Sequence, residues 1–365
     1  MALFSKPAVA FDAGGSLDYE APCFSYLGLE PLQIRLLKVF PGEPGEKLLC
    51  ELYHTLLETA PSYSALSYAW GNNPQNKRIS VKSDGSTWGD LTITPNLLSA
   101  LNRLRDSLKI QWLWVDQLCI AQHDDSEKGE QVSLMKDIYA QAEKVVVWIG
   151  EDDSDTPLLQ AMCARLSPKA SQAGDISQMH LEDQLALKYM VNLTNSEAGS
   201  AKQSRDAVID CLNRAWFRRA WVYQEAIVAA EVEVYCGYFC VSFDILARLV
   251  LSVYFLMKIE KDGLWSRCMK KSKGFGPLRA LWYDRELYHQ NKRLDFLHVL
   301  WRARKYLEAT KPEDMVYSFL AFDDSSSEYR VKADYTIHSA ETFRNLACSM
   351  IKSKGSLDTS MCCEY

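Results

Sequence analysis

The sequence predicts an α/β fold: a parallel sheet core flanked by helices, with extra N-terminal strands and a mainly helical C-terminal part. Three observations carry this. Strand-length apolar runs alternate with helix-patterned segments from Tyr63 to Gly150. The run Lys144 to Gly150 (KVVVWIG) is the cleanest strand in the chain, and the continuous apolar run from Trp112 suits a strand buried on both faces. Beyond Glu151 the pattern changes, and apart from Val232 to Cys236 the remainder reads as helices.

Taken in order, residues 1–30 form a lead-in with few regular patterns. Ile34 to Phe40 is strand-like, and Leu48 to Leu57 alternates apolar and polar residues as a second strand. Tyr63 to Trp70 is aromatic-rich and closes on the turn signal Gly71-Asn72-Asn73-Pro74. Arg78 to Lys82 reads as a short strand. Thr94-Pro95-Asn96 opens a helix, with a capping hydroxyl and a proline where no amide is needed. Leu97, Leu98, Leu101, Leu104 and Leu108 share one face of it. Trp112 to Cys119 is a short apolar run read as a strand, with Asp116 near its end. A helix from about Ser126 to Ala142 follows, burying Val132, Met135, Ile138 and Tyr139. Helices are then expected over 155–167, 180–191, 204–228, 243–258, 277–306, 313–321 and 337–354, with a loop at 323–327. The expected organisation is a lead-in (1–30), an α/β core (31–230) and a mainly helical extension packed on it (231–365).

Composition narrows the function classes. Hydrophobic residues make up 48% and charged residues 24% of the 365, normal for a folded globular chain able to bury a core. The net charge of -6, with no Lys/Arg run, argues against nucleic acid as a partner. The eleven cysteines are scattered without a CxxC pair, so no metal site is expected, and free thiols suit a reducing compartment. The N-terminus lacks a secretory apolar region, and Ile245 to Ile259 carries Arg248 and Lys258 and is too short to span a bilayer. The expectation is a soluble, cytoplasmic protein with no membrane partner.

Several motifs in fixed order resemble those of the fungal HET (heterokaryon incompatibility) domain family. Tyr63 to Gly71 (YSALSYAWG) resembles the family's opening Y-x-A-L-S-Y-x-W-G, and Thr94 to Arg105 its first helix. Leu113 to Gln122 (LWVDQLCIAQ) resembles L-W-V-D-x-x-C-I-N-Q. Glu127-Lys128, Gln131-Val132 and Val145 to Gly150 match the helix and strand that follow. Trp216 to Glu225 resembles W-x-x-R-x-W-x-x-Q-E, and Lys311 to Leu320 a segment found after the core. The match spans roughly Ile34 to Tyr335. Two departures stand out: Ala121 replaces the usual asparagine, and Glu127-Lys128 the commoner Glu-Arg. The chain has no P-loop and reads as a short member or a truncation.

The resemblance implies self/non-self recognition and incompatibility-type cell death, through self-association or an incompatibility partner protein. It also implies a remote likeness to TIR domains, some of which cleave the nicotinamide–ribose bond of NAD. NAD is then a candidate substrate, no cofactor is otherwise called for, and enzymatic activity is left open. Such cleavage needs a carboxylate to stabilise an oxocarbenium-like state. Glu127, with Glu130 as substitute, is the candidate for it, and Asp116 the candidate ribose ligand. Tyr68 and Trp70 lie at a strand's carboxyl end, where ligands collect in such sheets, and are candidate base platforms. Gly71, Cys119, Gln122 and Gln131, in the same motifs, complete the ligand-binding set.

Each candidate also has a structural reading. Glu127 lies in a first helical turn, where the free amides favour any carboxylate. Asp116 suits a loop cap or a hydrogen bond with Gln122. Trp112, Trp114 and Trp148 suit the core. Cys119, four residues before His123, reads as a buried small residue rather than a nucleophile. Arg218 or Arg219 with Glu225 reads as a structural ion pair, or Glu225 as a second functional carboxylate.

Overall fold

A computed structural model describes residues 23–71, 74–83, 87–166, 198–259, 272–292, 294, 296–322 and 331–354. It is an α/β fold around one nine-stranded mixed sheet. The strands are β1 (Gln33–Val39), β2 (Leu49–Leu56), β3 (Ser64–Tyr68), β4 (Lys77–Ser83), β5 (Gly89–Ile93), β6 (Gln111–Trp114), β7 (Lys144–Trp148), β8 (Val232–Cys236) and β9 (Phe239–Ser242). Their spatial order is β5-β4-β2-β1-β6-β3-β7-β8-β9. β6, β3, β7 and β8 run parallel, while β1, β5 and β9 pair antiparallel with their neighbours. Along the parallel block the chain enters at β3, steps outward to β6, then returns past β3 to β7 and β8. In such sheets ligands usually bind beyond the carboxyl ends of the strands at a reversal of this kind, here between β3 and β7.

Eleven helices are described: α1 (Pro95–Leu104), α2 (Asp116–Cys119), α3 (Asp125–Gln141), α4 (Thr156–Cys163), α5 (Ala198–Asn213), α6 (Val222–Ile227), α7 (Phe243–Ile259), α8 (Phe275–His289), α9 (Phe296–Tyr306), α10 (Asp314–Tyr317) and α11 (Ser339–Lys354). The start of α1 follows from its sequence: Thr94 Oγ1 accepts from the amide of Leu97 at 3.2 Å, with Pro95 in the first turn. Asp124 caps α3 by accepting from the amides of Ser126 and Glu127 at 3.0 and 3.1 Å. The core centres on Trp114, Trp148, Trp216, Tyr68 and Tyr139, all with under 2% of their surface exposed. Trp112 is only partly buried, edge-on to Tyr53.

Several elements differ from expectation. The run expected to be strand as far as Cys119 leaves the sheet at Trp114, and Asp116–Cys119 turn as one helical loop. Asp116 starts that turn by accepting from the amide of Gln117 at 2.7 Å, while Leu118 donates to Val115. The helix expected over 204–228 breaks at a 3-10 turn, Ala215–Arg218, which sends the Trp216 ring into the core. The helix expected over 277–306 breaks near Asn291, whose φ of 55° no helix accommodates. β9 follows β8 through a two-residue turn, with Gly237 at φ 53° supplying the left-handed conformation such hairpins need. The position 230/231 falls between α6 and β8, so β8 and β9 extend the same sheet past it. The helix expected over 180–191 and the loop at 323–327 lie outside the described residues. Among the described residues no helix is long and apolar enough to cross a membrane.

Candidate functional site

The carboxyl ends of β3 and β6 bring together Asp116 and Trp70, near Arg219 and Glu225. Asp116, just past β6, accepts from the indole N–H of Trp70, just past β3, at 2.9 Å. Burial pushes its carboxyl above the usual range, against the pull of Arg219 and these hydrogen bonds. Arg219, following the 3-10 turn, donates to the carbonyl of Tyr68 and lies 3.8 Å from Glu225. Glu225, on α6, has only 1% of its side chain exposed. Its Oε2 accepts from the hydroxyl of Ser67 on β3, and Ser67 Oγ accepts in turn from Trp216 Nε1 at 2.7 Å. Glu225 Oε1 is buried without a hydrogen-bond partner. Burial raises this carboxyl to about 7, and Arg219 only partly opposes it. Arg219 keeps its charge because Glu225 and Asp116 both favour it. One guanidinium is thus paired with Glu225 and lies in the field of Asp116 at the carboxyl end of β3.

The other expected site residues surround or leave this centre. Tyr68 is buried, with its hydroxyl donating to Gln117 Oε1 at 2.7 Å, so its ring is core rather than an open platform. Trp70 stays partly exposed beside Asp116. Asn96 ties this rim together, donating to the carbonyl of Ala69 and accepting from Trp148 Nε1. Gly71 takes a φ of 72°, which makes it the turn residue after Trp70. Gln122 donates to the carbonyl of Asp116 at 2.9 Å, fixing the loop behind the carboxylate.

Glu127 faces another partner. Its two oxygens accept from Arg35 Nη1 and Nη2 at 2.6 and 2.9 Å, and Oε1 also accepts from the amide of Ala121 at 2.7 Å. Arg35, with none of its side chain exposed, further donates to the carbonyls of Cys119 and Leu27 and stacks 5.0 Å from the Tyr26 ring centroid. Glu127 therefore neutralises a buried cation on β1. Glu130 is exposed on the outer face of α3. Gln131 is buried and donates to the carbonyl of Gln33. Cys119 is buried, accepts from the amide of Val115, and has its thiol pushed up to about 12, which leaves no thiolate near neutrality. Arg218 turns away to Glu308 at 3.3 Å.

Arg35, Ser67 and Trp216 escape sequence reasoning about the site. The one available signal was Arg35 itself, a cation inside the apolar run IRLLKVF, where burial demands a partner. No group of three or more His, Cys, Asp or Glu side chains suited to a metal occurs among the described residues.

With this geometry in view, sequence comparison assigns the chain. The family model described as "Heterokaryon incompatibility protein (HET)" matches residues 63–225. Residues 63–225 of the chain are a HET domain. A Neurospora crassa protein named heterokaryon incompatibility protein 6, OR allele, is 32% identical over 382 residues, covering 93% of this chain and 54% of that protein. The chain thus spans about half the length of this curated relative. No solved structure matches it. The HET match begins one residue before β3 and ends at Glu225, so it contains Asp116, Glu127, Arg219 and Glu225 but not Arg35. Nothing in the comparisons supports the TIR-like, NAD-cleaving alternative.

Proposed function

We propose that this HET protein acts in fungal self/non-self recognition, triggering incompatibility-type programmed cell death, with the Asp116–Arg219–Glu225 centre as its functional core. The observation that carries this reading is the HET match over residues 63–225, reinforced by a relative that bears the incompatibility name and aligns with 93% of the chain. A buried guanidinium paired with Glu225 in the field of Asp116 is a costly arrangement for stability alone, since desolvation of the charges offsets much of their attraction. Such centres cluster at functional sites. The order β6-β3-β7-β8 supports reading the parallel block as a TIR- or flavodoxin-like core. The partner is a second copy of the chain or an incompatibility protein, met in the cytoplasm.

Inducible expression in a filamentous fungus tests the proposal. Wild-type protein is expected to arrest growth and reduce viability, alone or with the incompatible partner, and Asp116→Asn to weaken that response at equal protein level. Undiminished viability with wild-type protein in both settings would sink the reading.

A further inference from the structure

We propose that the groove between residues 331–337 and α11 binds a free α-amino acid with an aliphatic side chain, Lys332 taking its carboxylate and Asp334 its ammonium. The groove offers about 340 Å³, at the lower end of the roughly 300–1,000 Å³ of small-molecule pockets. Lys332, Asp334 and the apolar Val331 and Ile337 line it from one segment. Thr342, Asn345 and Ser349, at helical spacing, line it from one face of α11.

Exposure alternates along the first segment: Ala333 and Tyr335 are buried, Lys332 is exposed and Asp334 half-buried. A period of two is the pattern of extended backbone, and it puts the two charges on one side. The segment is anchored from behind. The Tyr317 hydroxyl donates to the carbonyl of Asp334 at 2.8 Å, and the Tyr335 hydroxyl to Asp314 Oδ1 at 2.7 Å. Gly129 on α3 lets the segment lie close, since a Cβ there would come within 3.0 Å of the carbonyl oxygen of Ala333.

An ammonium and a carboxylate thus face one small space without pairing with each other, and neither has an ion-pair partner among the described residues. Thr336 aims the carboxylate: its amide and hydroxyl donate to Asp334 Oδ1 at 2.9 and 2.6 Å and hold the carboxyl below its ordinary range. Asp334 therefore stays ionised near neutrality, with Oδ2 open to a ligand. The side-chain amide of Asn345 also has no partner among the described residues and can donate to a carboxylate. The Thr342 hydroxyl is already bonded to that of Tyr317, at 2.9 Å. A simple anion or a simple cation would meet a like charge in this space. A zwitterion meets an opposite charge at each end, and Val331 and Ile337 offer its side chain an apolar wall. Binding here does not depend on the incompatibility function, since purified protein reports it.

The test is calorimetric titration of the full chain with L-leucine, with leucinamide, which lacks the carboxylate, and with 4-methylpentanoate, which lacks the ammonium. Saturable binding of leucine is expected, with each analogue weaker by about tenfold or more, as for loss of one charged hydrogen bond. Lys332→Gln is expected to weaken leucine and leave leucinamide unchanged. Asp334→Asn, which keeps an acceptor for Thr336, is expected to weaken leucine and leave 4-methylpentanoate unchanged. Comparing ligands within each variant keeps the result readable if its stability moves. No saturable binding of leucine, analogues bound as tightly as leucine, leucine binding unchanged in both variants, or all three ligands weakened alike would overturn the proposal.

Discussion

Arg35 on β1 and Glu127 on α3, 92 residues apart, meet in a two-pronged ion pair whose arginine has no exposed side-chain surface. The pair ties the start of α3 to the centre of the sheet, and the amide of Ala121 adds a third bond to the same carboxylate. Removing one member leaves the other charged and unmatched in a place water does not reach. Glu127→Gln is therefore expected to lower unfolding stability by about 3–5 kcal/mol, and Arg35→Met by a similar amount. The double variant Arg35→Met/Glu127→Leu is expected to recover part of the loss. Urea unfolding measures all three, and a Glu127→Gln midpoint equal to wild type would contradict the assignment. Loss of cellular function in Glu127→Gln then needs this stability control before it is read as chemistry.

Glu225 makes stability depend on pH in a defined direction. Its carboxyl titrates near 7 in the fold against 4.5 as its ordinary value, so between those pH values the folded state holds a proton that the unfolded chain has lost. The contribution is fully present below pH 4.5 and disappears as pH rises through 7. At about 1.4 kcal/mol per unit, the swing is on the order of 3 kcal/mol. Glu225→Gln keeps the shape and removes the titration, and Arg219 retains Asp116 and the Tyr68 carbonyl. The expected result is a flatter stability profile between pH 5 and 8 with a gain at the alkaline end (the window set by the value near 7). A wild-type profile that rises over the same interval would refute it.

Ser67 is the hinge of the same network, accepting from Trp216 Nε1 and donating to Glu225. Ser67→Ala orphans a buried indole N–H and a buried carboxylate oxygen together. A loss of about 2–6 kcal/mol is expected, from about 1–3 kcal/mol for each unsatisfied group. Ser67→Thr keeps the hydroxyl, and thermal unfolding is expected to rank it between wild type and Ser67→Ala.

These residues also show what a sequence can disclose. β3 and β7 were legible because SALSY and KVVVW are apolar runs of strand length, and α1 because Thr94-Pro95 is a local cap. Asp116 beside Trp70 was placed correctly at the strand ends because strand position alone puts it there. The partner of Glu127 was not legible: a first-turn glutamate looks the same whether it faces solvent, substrate or an arginine from a distant strand. Ser67 was hidden in the same way, since a serine in SALSY carries no trace of the tryptophan 149 residues later that donates to it. β9 was missed because four residues with one clear apolar inward position give no period to detect.

Another buried carboxylate lies behind the HET segment and predicts an order of effects. Asp284 on α8 is fully buried, with Arg302 on α9 donating to its two oxygens at 2.6 and 2.7 Å and the Tyr223 hydroxyl on α6 donating to Oδ2. The tyrosine supplies a neutral hydrogen bond and the arginine the countercharge. Tyr223→Phe is expected to lose about 1–3 kcal/mol, because Asp284 keeps its cation. Arg302→Met strips that cation from a carboxylate with no access to water, and about 3–5 kcal/mol is expected to go. Asp284→Asn in the Arg302→Met background should restore part of the loss by removing the stranded charge. Chemical unfolding of the three variants checks the order, and an Arg302→Met variant more stable than Tyr223→Phe would show that the charge is compensated elsewhere.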